Sequence, residues 1–382
     1  MKTNSMKFIC VALIALATGT SSVWAAKPAE EPPTPLTEVG QKIEKRYDDQ
    51  LKKLHAELVT KVPKSDQVKP DALKKFLDSD ALDAKLAKYV VLLDATPRGL
   101  AEFTQQGREQ YTMVERMLAD ADLMKKMLVA DGANAKRKGR NGYGPAQYGQ
   151  AMTIYADIQK ASSQSATGVL QRLALAISLE HAVPIAQVNA ESQTGAPATI
   201  DPVQRYLHFE KALLDGELDA AFDRLSTWEL RMVVNGDEPD EILAWGREML
   251  RNYRPDHIYN PNFGWRYVSI VGSDVKYGSQ DVKYDRYELQ KYQNILMNGG
   301  VCGRRAFFGR FILRSFGVPT TARPSRGHAA LAHWTPDGWV VNLGGGWGGG
   351  WTATKYKKDL DFLASTQARN NRTEYLKVKR DQ

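Results

Sequence analysis

A helical spacing of apolar residues runs through the first two thirds of the chain, and this pattern limits the possible folds more than any other feature. In residues 36–62 the apolar side chains recur at steps of three and four, with Lys, Glu and Asp between them: Val39, Ile43, Tyr47, Leu51, Leu54 and Leu58. Such a stripe marks one face of an amphipathic helix that packs on a core. Similar patterns follow, separated by Pro- and Gly-containing segments, at residues 70–94, 98–130, 145–183 and 202–225. The spacing predicts a helical region over residues 36–256.

The composition changes beyond about residue 257, where Tyr, Trp, Val and Gly become frequent and short strand-like runs replace the helical period. Residues 318–325 form a short extended run. Two further strands are predicted at residues 327–334 and 338–343, because the Pro-Asp-Gly between them is a hairpin signal. We therefore predict an α+β chain, in which the helical region is followed, at residues 257–382, by a helix packed on an antiparallel sheet.

The N-terminus has the layout of a secretory signal peptide over residues 1–25. Two lysines precede an apolar run at residues 8–17, and small residues then lead to a cleavage position after Ala25. The apolar run is too short to cross a bilayer, which takes ~20 residues. A Pro- and Glu-rich tether at residues 26–35 is predicted to be disordered. We expect an exported protein, periplasmic or extracellular, without a membrane span.

Export leaves the chain with one cysteine, because Cys10 lies in the signal peptide and Cys302 is the only other. A disulfide within the mature chain is then excluded, and stability must come from a hydrophobic core. The remaining thiol is either a small packing residue or a reactive group.

The charge pattern argues against a nucleic-acid partner. The chain has 52 Lys and Arg and 44 Asp and Glu, a formal net charge of +8. The positive residues are interspersed with acidic ones, apart from a cluster at 136–140 that we interpret as an exposed loop. An exported chain without a stacking or groove-reading motif is not expected to bind nucleic acid.

Cys302 is predicted to lie at the start of a helix. Apolar residues and arginines alternate at helical spacing after it, Gly317 is placed to end the helix, and Gly299 and Gly300 allow a tight turn into it. Free N–H groups and the macrodipole at a helix N-terminus favour a thiolate over a thiol. The backbone N–H of Cys302 would also donate to an oxyanion.

An imidazole and an amide follow in the two predicted strands. His328 begins the first strand and Asn342 lies near the end of the second. A histidine at such a place takes the thiol proton, and a third group fixes its tautomer. A regular register that pairs Trp334 with Trp339 points His328 and Asn342 to opposite faces, with His333 on the face of Asn342, whereas a β-bulge would bring His328 and Asn342 to one face. Asn342 is thus either the orienting group or a strand-end residue that satisfies backbone groups.

Three segments in this order resemble the core of the transglutaminase-like superfamily, which is papain-like: "GGVCGRRAFFGRFILRSFGVPTTARP", "GHAALAHW" and "DGWVVNLG". The resemblance covers about residues 257–352 and implies that Cys302 is a nucleophile and His328 its base. The family usually has an Asp four residues after the Trp of its "GW" strand. This chain has Leu343 at that place and Asn342 one residue before it.

Three tryptophans are further candidates for the site. Trp265 lies 37 residues before Cys302, and the resemblance implies that an indole N–H at a similar distance stabilises an oxyanion. The alternative is an aromatic core residue. Trp347 and Trp351, in the run "GGGWGGGW", either form a wall of a substrate cleft or belong to a flexible loop.

These features predict a cysteine-dependent acyltransferase, amidase or peptidase that acts on amide bonds through a thioester, by hydrolysis or amine transfer. The expected substrates are a protein, a peptide or a cell-wall peptide, and the helical region is a candidate to bind a protein partner. No cofactor or metal is expected, because the chain has no oxygen-rich calcium loop and the histidine spacing is not that of a metal site. The alternative is a non-catalytic interaction or scaffold protein with a degenerate transglutaminase-like domain.

Overall fold

Helices dominate the computed structural model of the chain, and a small antiparallel sheet lies in its C-terminal third. The structure describes residues 35–63, 69–136, 143–187, 199–278, 282–346, 350–352 and 354–381. The predicted signal peptide, nearly all of the tether and most of the basic cluster at 136–140 lie outside the described residues. No helix in the described ranges is long and apolar enough to cross a bilayer.

The described α-helices are, in chain order, α1 (Glu38–Val59), α2 (Pro70–Leu77), α3 (Asp83–Ala95), α4 (Pro97–Thr104), α5 (Arg108–Ala119), α6 (Ala121–Ala130), α7 (Tyr148–Ala161), α8 (Gly168–His181), α9 (Pro202–Leu214), α10 (Thr227–Val234), α11 (Asp240–Tyr253), α12 (Pro255–Ile258), α13 (Ser269–Ser273), α14 (Lys291–Asn298), α15 (Cys302–Ser315), α16 (Asp359–Asn370) and α17 (Arg372–Asp381). The strands are β1 (Asn134–Lys136), β2 (Tyr143–Ala146), β3 (Thr320–Ser325), β4 (His328–Thr335) and β5 (Gly338–Leu343). The mixed α+β class predicted from the sequence is confirmed.

The N-terminal helices pack around a core of their own. The Thr37 side chain caps α1 by accepting a hydrogen bond from Gly40 N at 3.1 Å. Tyr47, on the predicted stripe of α1, is fully buried in a cluster that also includes Val91 of α3 and Val114 of α5. The predicted helical pattern thus produces a helix-on-helix layer here.

A second core joins the helical region to the C-terminal third. It includes Leu243 of α11, Phe311 and Ile312 of α15, and Leu331 of β4. Helices α11 and α15 approach closely, because a Cβ at Gly246 would lie 2.7 Å from the Phe311 ring. The chain from Leu36 onward forms one compact unit. Packing is therefore continuous across residue 256, and the division of the chain there stays a prediction.

The C-terminal sheet has the order β3-β4-β5 and lies between two helical layers. On one face Leu331 packs on α15, so closely that a Cβ at Gly309 would lie 2.7 Å from Leu331 Cδ2. On the other face Ala332 and Trp339 pack with Phe362 of α16. The sheet thereby brings the start of β4 to the N-terminal end of α15.

Two parts of the C-terminal third differ from the predicted secondary structure. Where strand-like runs were expected after residue 257, the described chain forms the short helices α12 and α13, then α14. The charged stretch near the C-terminus forms α17, in which Tyr375 is buried and lies under the Arg369 guanidinium of α16 at 4.8 Å. Aromatic-rich composition alone does not distinguish a strand from a short buried helix.

Candidate active site

The turn into α15 depends on two glycines. Gly299 has a φ of 73°, a backbone conformation that favours glycine. A Cβ at Gly300 would lie 2.5 Å from Arg304 Cβ, so this position excludes a side chain. The helix begins at Cys302 and ends in a turn in which Gly317 has a φ of 73° and Val318 N donates to Leu313 O at 2.9 Å. The predicted helix and the place of Cys302 at its start are confirmed.

The first turn of α15 has backbone donors that the helix does not use. The Arg305 N–H donates to Val301 O at 3.1 Å. Within the described parts of the chain, nothing accepts a hydrogen bond from the N–H groups of Cys302, Gly303 or Arg304. A Cβ at Gly303 would meet no atom within 4 Å, so the space beside this turn is open. Such a turn binds negative charge and suits a thiolate or an oxyanion.

Cys302 and His328 line the same cavity, which has a volume of about 330 Å³. Helix α15 supplies Cys302 and Arg305, the start of β4 supplies His328, and the segment before α13 supplies Trp265. The Cys302 side chain is partly buried, whereas His328 is exposed at the rim. No hydrogen bond joins the two side chains in the part of the chain that the structure describes. Catalytic hydrogen bonds are often long in unliganded enzymes and shorten when substrate binds.

A backbone carbonyl orients the His328 ring. His328 Nε2 lies 2.5 Å from Gly344 O. A carbonyl oxygen only accepts, so Nε2 carries a proton and donates it, and in the neutral ring Nδ1 then keeps its lone pair. The carbonyl lies in a turn closed by Gly345 N donating to Asn342 O at 2.9 Å, with Gly344 at a φ of 78°. A type II turn requires glycine at this third position.

The β-bulge considered from the sequence is present in the β4–β5 hairpin. Trp334 pairs with Trp339, but Leu331 pairs with Leu343, one residue beyond a regular register. The bulge carries Asn342 past the position opposite Leu331. Within the described residues, the Asn342 side chain nevertheless makes no hydrogen bond to His328, and the Gly344 carbonyl occupies the orienting position instead.

His333, two residues beyond Leu331 on the same face of β4, is fully buried. Its Nε2 lies 3.4 Å from Phe263 O, and its Nδ1 is buried without a partner among the described residues. Burial lowers the pKa of His333 to about 4. This imidazole is therefore neutral at physiological pH and does not line the cavity of Cys302.

The three candidate tryptophans differ in position. Trp265 lines the cavity with 49 % of its surface exposed, in a turn before α13 rather than in a strand. Trp347 lies outside the described residues. Trp351 is buried away from the cavity, where its indole N–H donates to Asp359 Oδ1 at 2.8 Å and its ring stacks on Phe362. The structure thus brings Trp265, but not Trp351, to Cys302 and His328.

The cavity contains residues that the sequence argument did not single out, notably Arg305, Tyr277 and Gly344. Arg305 had a usable signal, because it lies three positions after Cys302 and residues at that spacing are neighbours on a helix. Gly344 belongs to the glycine run, but its role is carried by a backbone carbonyl, which no residue type reveals. In the described ranges, no group of three or more His, Cys, Asp or Glu side chains is arranged to hold a metal ion.

Comparison with known proteins gives no relative: no protein-family model, no curated protein and no solved structure matches this chain.

Proposed function

We propose that this protein is an exported cysteine-dependent acyl-transfer enzyme that acts on amide bonds of protein or peptide substrates through a thioester. The observation that carries the proposal is the cavity that Cys302 and His328 share, although they come from different elements. The unused N–H groups at the start of α15 and the carbonyl bonded to His328 support it. We also propose that α15 and the β3-β4-β5 sheet form a transglutaminase-like core.

In the proposed mechanism, Cys302 acts as nucleophile and His328 as its base. His328 Nδ1 accepts the thiol proton while the Gly344 carbonyl holds Nε2–H. The thiolate sulfur bonds to the amide carbonyl carbon, and the carbonyl oxygen takes up negative charge. The N–H groups at the start of α15 donate to that oxygen. The C–N bond then breaks, the amine leaves with the proton from His328, and the acyl group remains on Cys302 as a thioester.

The second half of the reaction resolves the thioester. His328 accepts a proton from water or from an amine, which attacks the acyl carbon and releases Cys302. Water gives hydrolysis, and an amine gives a new amide bond. The rim position of His328 supports this step, because the imidazole is exposed to the incoming molecule. We propose that the substrate is a protein, peptide or cell-wall peptide, and that the helical region offers a surface for a protein partner.

Acylation with p-nitrophenyl acetate tests the proposal without a known substrate. We expect acetyl transfer to Cys302 with release of p-nitrophenolate, faster than to the free thiol N-acetylcysteine amide. Peptide mass spectrometry identifies Cys302 as the acetylated position. His328→Ala should slow acylation by about 100-fold, which is within the usual contribution of a general base.

A matched control for this test is His55→Ala, because His55 is exposed on α1, far along the chain from the cavity. This variant should acylate at the wild-type rate. The proposed enzymatic activity would be contradicted if Cys302 and the free thiol were acylated at equal rates and His328→Ala had no effect. A non-catalytic scaffold protein would then be the remaining hypothesis.

A further inference from the structure

The cavity of Cys302 combines apolar walls with a positive side chain. Val268, Val271, Leu331 and Leu343 are among its lining residues, and Arg305 is the one lysine or arginine that lines it among the residues the structure describes. No aspartate or glutamate from the described parts of the chain lines it. Its volume of about 330 Å³ is at the small end of the range for ligand pockets, about 300–1,000 Å³, and suits one amino-acid-sized group.

Arg305 is held in place but keeps donors to spare. One N–H of its Nη1 donates to Val275 O, and its guanidinium lies 5.5 Å from the centre of the Tyr277 ring. An arginine has five N–H donors. In the described ranges, the other donors of Arg305 make no hydrogen bond, and no carboxylate lies within ion-pair distance.

The neighbouring arginines of α15 show the contrast. Arg304 forms a two-pronged ion pair with Asp285 at 2.8 and 3.0 Å, and Arg314 pairs with Glu238 at 2.8 Å. Both arginines therefore have structural partners. Among the described residues neither Arg305 nor Arg310 has a partner of this kind; Arg310 lies over the Phe307 ring, and only Arg305 lines the cavity.

Arg305 also lies close to the nucleophile. It follows Cys302 by three residues on α15, a spacing at which Cβ atoms are ~5–6 Å apart. Helical side chains lean toward the N-terminus of their helix, which directs Arg305 toward Cys302. A carboxylate bound by Arg305 would therefore lie on the same side of the cavity as the carbonyl that Cys302 would attack, as does the carboxylate of a residue that directly follows the scissile amide.

We propose that Arg305 is a specificity residue, and that the acyl donor is an apolar residue whose scissile amide is followed by a free carboxylate, as at the C-terminus of a peptide. This inference rests on the proposed function. In the reaction, the Cys302 sulfur bonds to the carbonyl carbon of the penultimate residue and the amide C–N bond breaks. The C-terminal amino acid leaves with its amine protonated by His328 and its carboxylate unchanged.

Two alkylating reagents of similar size and different charge test this inference without turnover. Iodoacetate carries a carboxylate and iodoacetamide is neutral, and both alkylate a thiolate with loss of iodide. We expect the rate with iodoacetate divided by the rate with iodoacetamide to be about tenfold higher at Cys302 than at N-acetylcysteine amide. A factor of this size is the effect of one charge-assisted contact. Arg305→Gln should return the ratio to that of the free thiol.

The matched control is Arg326→Gln, which removes the same charge from an exposed position two residues before His328, outside the cavity lining. It should keep the wild-type ratio. A ratio equal to that of the free thiol, or one that Arg305→Gln leaves unchanged, would overturn the inference, since Arg305 would then act on the thiol alone. The ratio does not depend on acyl transfer. If the ratio at Cys302 equals that of the free thiol while p-nitrophenyl acetate still acylates Cys302, only the proposed specificity of Arg305 is contradicted. If the ratio is raised but Cys302 is not acylated, only the proposed enzymatic activity is contradicted.

Discussion

At the scale of single residues, the orientation of His328 depends on a short chain of contacts behind the Gly344 carbonyl. Arg323, which is almost fully buried, donates from Nη2 to Gly346 O at 3.0 Å and pairs with Asp359 of α16 at 2.7 Å. The glycine turn after β5 is thereby fixed to the far side of the sheet. His328 thus receives its tautomer from a turn that buried ionic contacts hold in place.

Gly345 is the point in this turn where a side chain would interfere. A Cβ there would lie 3.0 Å from Arg323 Nη1 and 3.2 Å from Ala330 Cβ, and 3.7 Å from His328 Cδ2. We expect Gly345→Ala to shift the turn and slow the acylation of Cys302 by p-nitrophenyl acetate about tenfold, since catalysis is sensitive to small displacements. Gly346→Ala is the control, because a Cβ at Gly346 meets no atom within 4 Å. Equal acylation rates in the two variants would argue against a positioning role for the turn.

At the scale of elements, the type of each segment, helix or strand, is easier to predict from the sequence than the residue at which it ends. The apolar spacing at residues 98–130 is continuous, yet the chain forms α4, α5 and α6 there. The last break has a local cause, because the Asp120 side chain caps α6 by accepting from Leu123 N at 2.9 Å. An apolar period of 3.6 residues shows that one helical face is buried. One long helix and several shorter helices in succession can give the same pattern.

The β4–β5 hairpin at the candidate site shows the same limit of prediction from sequence. Its strands and the pairing of Trp334 with Trp339 follow from local signals, and those signals also allow the bulge. Those signals do not specify the register shift, which occurs where residues of the sheet pack on both faces. The start of α15 at Cys302 and the strand that His328 begins are predictable because turn, helix and strand signals are local. The carbonyl of Gly344 and the free donors of Arg305 are not, since both depend on contacts between distant segments.

The buried His333 of β4 makes stability depend on pH. Its pKa is about 4 in the folded protein and ordinarily about 6.5, so the unfolded chain binds the proton more readily. The stabilisation is complete above about pH 6.5 and is lost as the pH falls toward 4, by up to about 3 kcal/mol. We expect His333→Gln to reduce the fall in the free energy of urea unfolding between pH 7 and pH 5. His55→Gln, at an exposed position, should leave it unchanged; an identical fall in all three proteins would contradict this account.

At the scale of the whole molecule, buried ionic contacts link α15 to the helical region. Arg314 of α15 and Glu238, before α11, are both buried and lie 2.8 Å apart, and Tyr292 of α14 also donates to Glu238 at 3.1 Å. Burial alone would raise the pKa of Glu238, but the positive charge of Arg314 lowers it below its ordinary value. The helix that begins at Cys302 is therefore anchored to the rest of the chain through charges as well as apolar packing.

Removal of one partner should destabilise the fold strongly. Glu238→Gln leaves Arg314 with an uncompensated buried charge, and we expect a loss of about 3–5 kcal/mol in the free energy of unfolding, measured by urea titration. The double variant Glu238→Leu/Arg314→Met should recover at least half of that loss, because an apolar pair has no charge to desolvate. A single variant within about 1 kcal/mol of wild type would show that this pair adds no more than a surface ion pair.

The reactivity of Cys302 toward iodoacetamide tests the central claim most directly, because it needs no substrate. We expect Cys302 to be alkylated at pH 7 at least about tenfold faster than N-acetylcysteine amide, as for an activated thiol. His328→Ala should remove most of this advantage while the protein remains folded by circular dichroism. Alkylation of Cys302 at the rate of the free thiol, with no effect of His328→Ala, would contradict a nucleophile and base at this site.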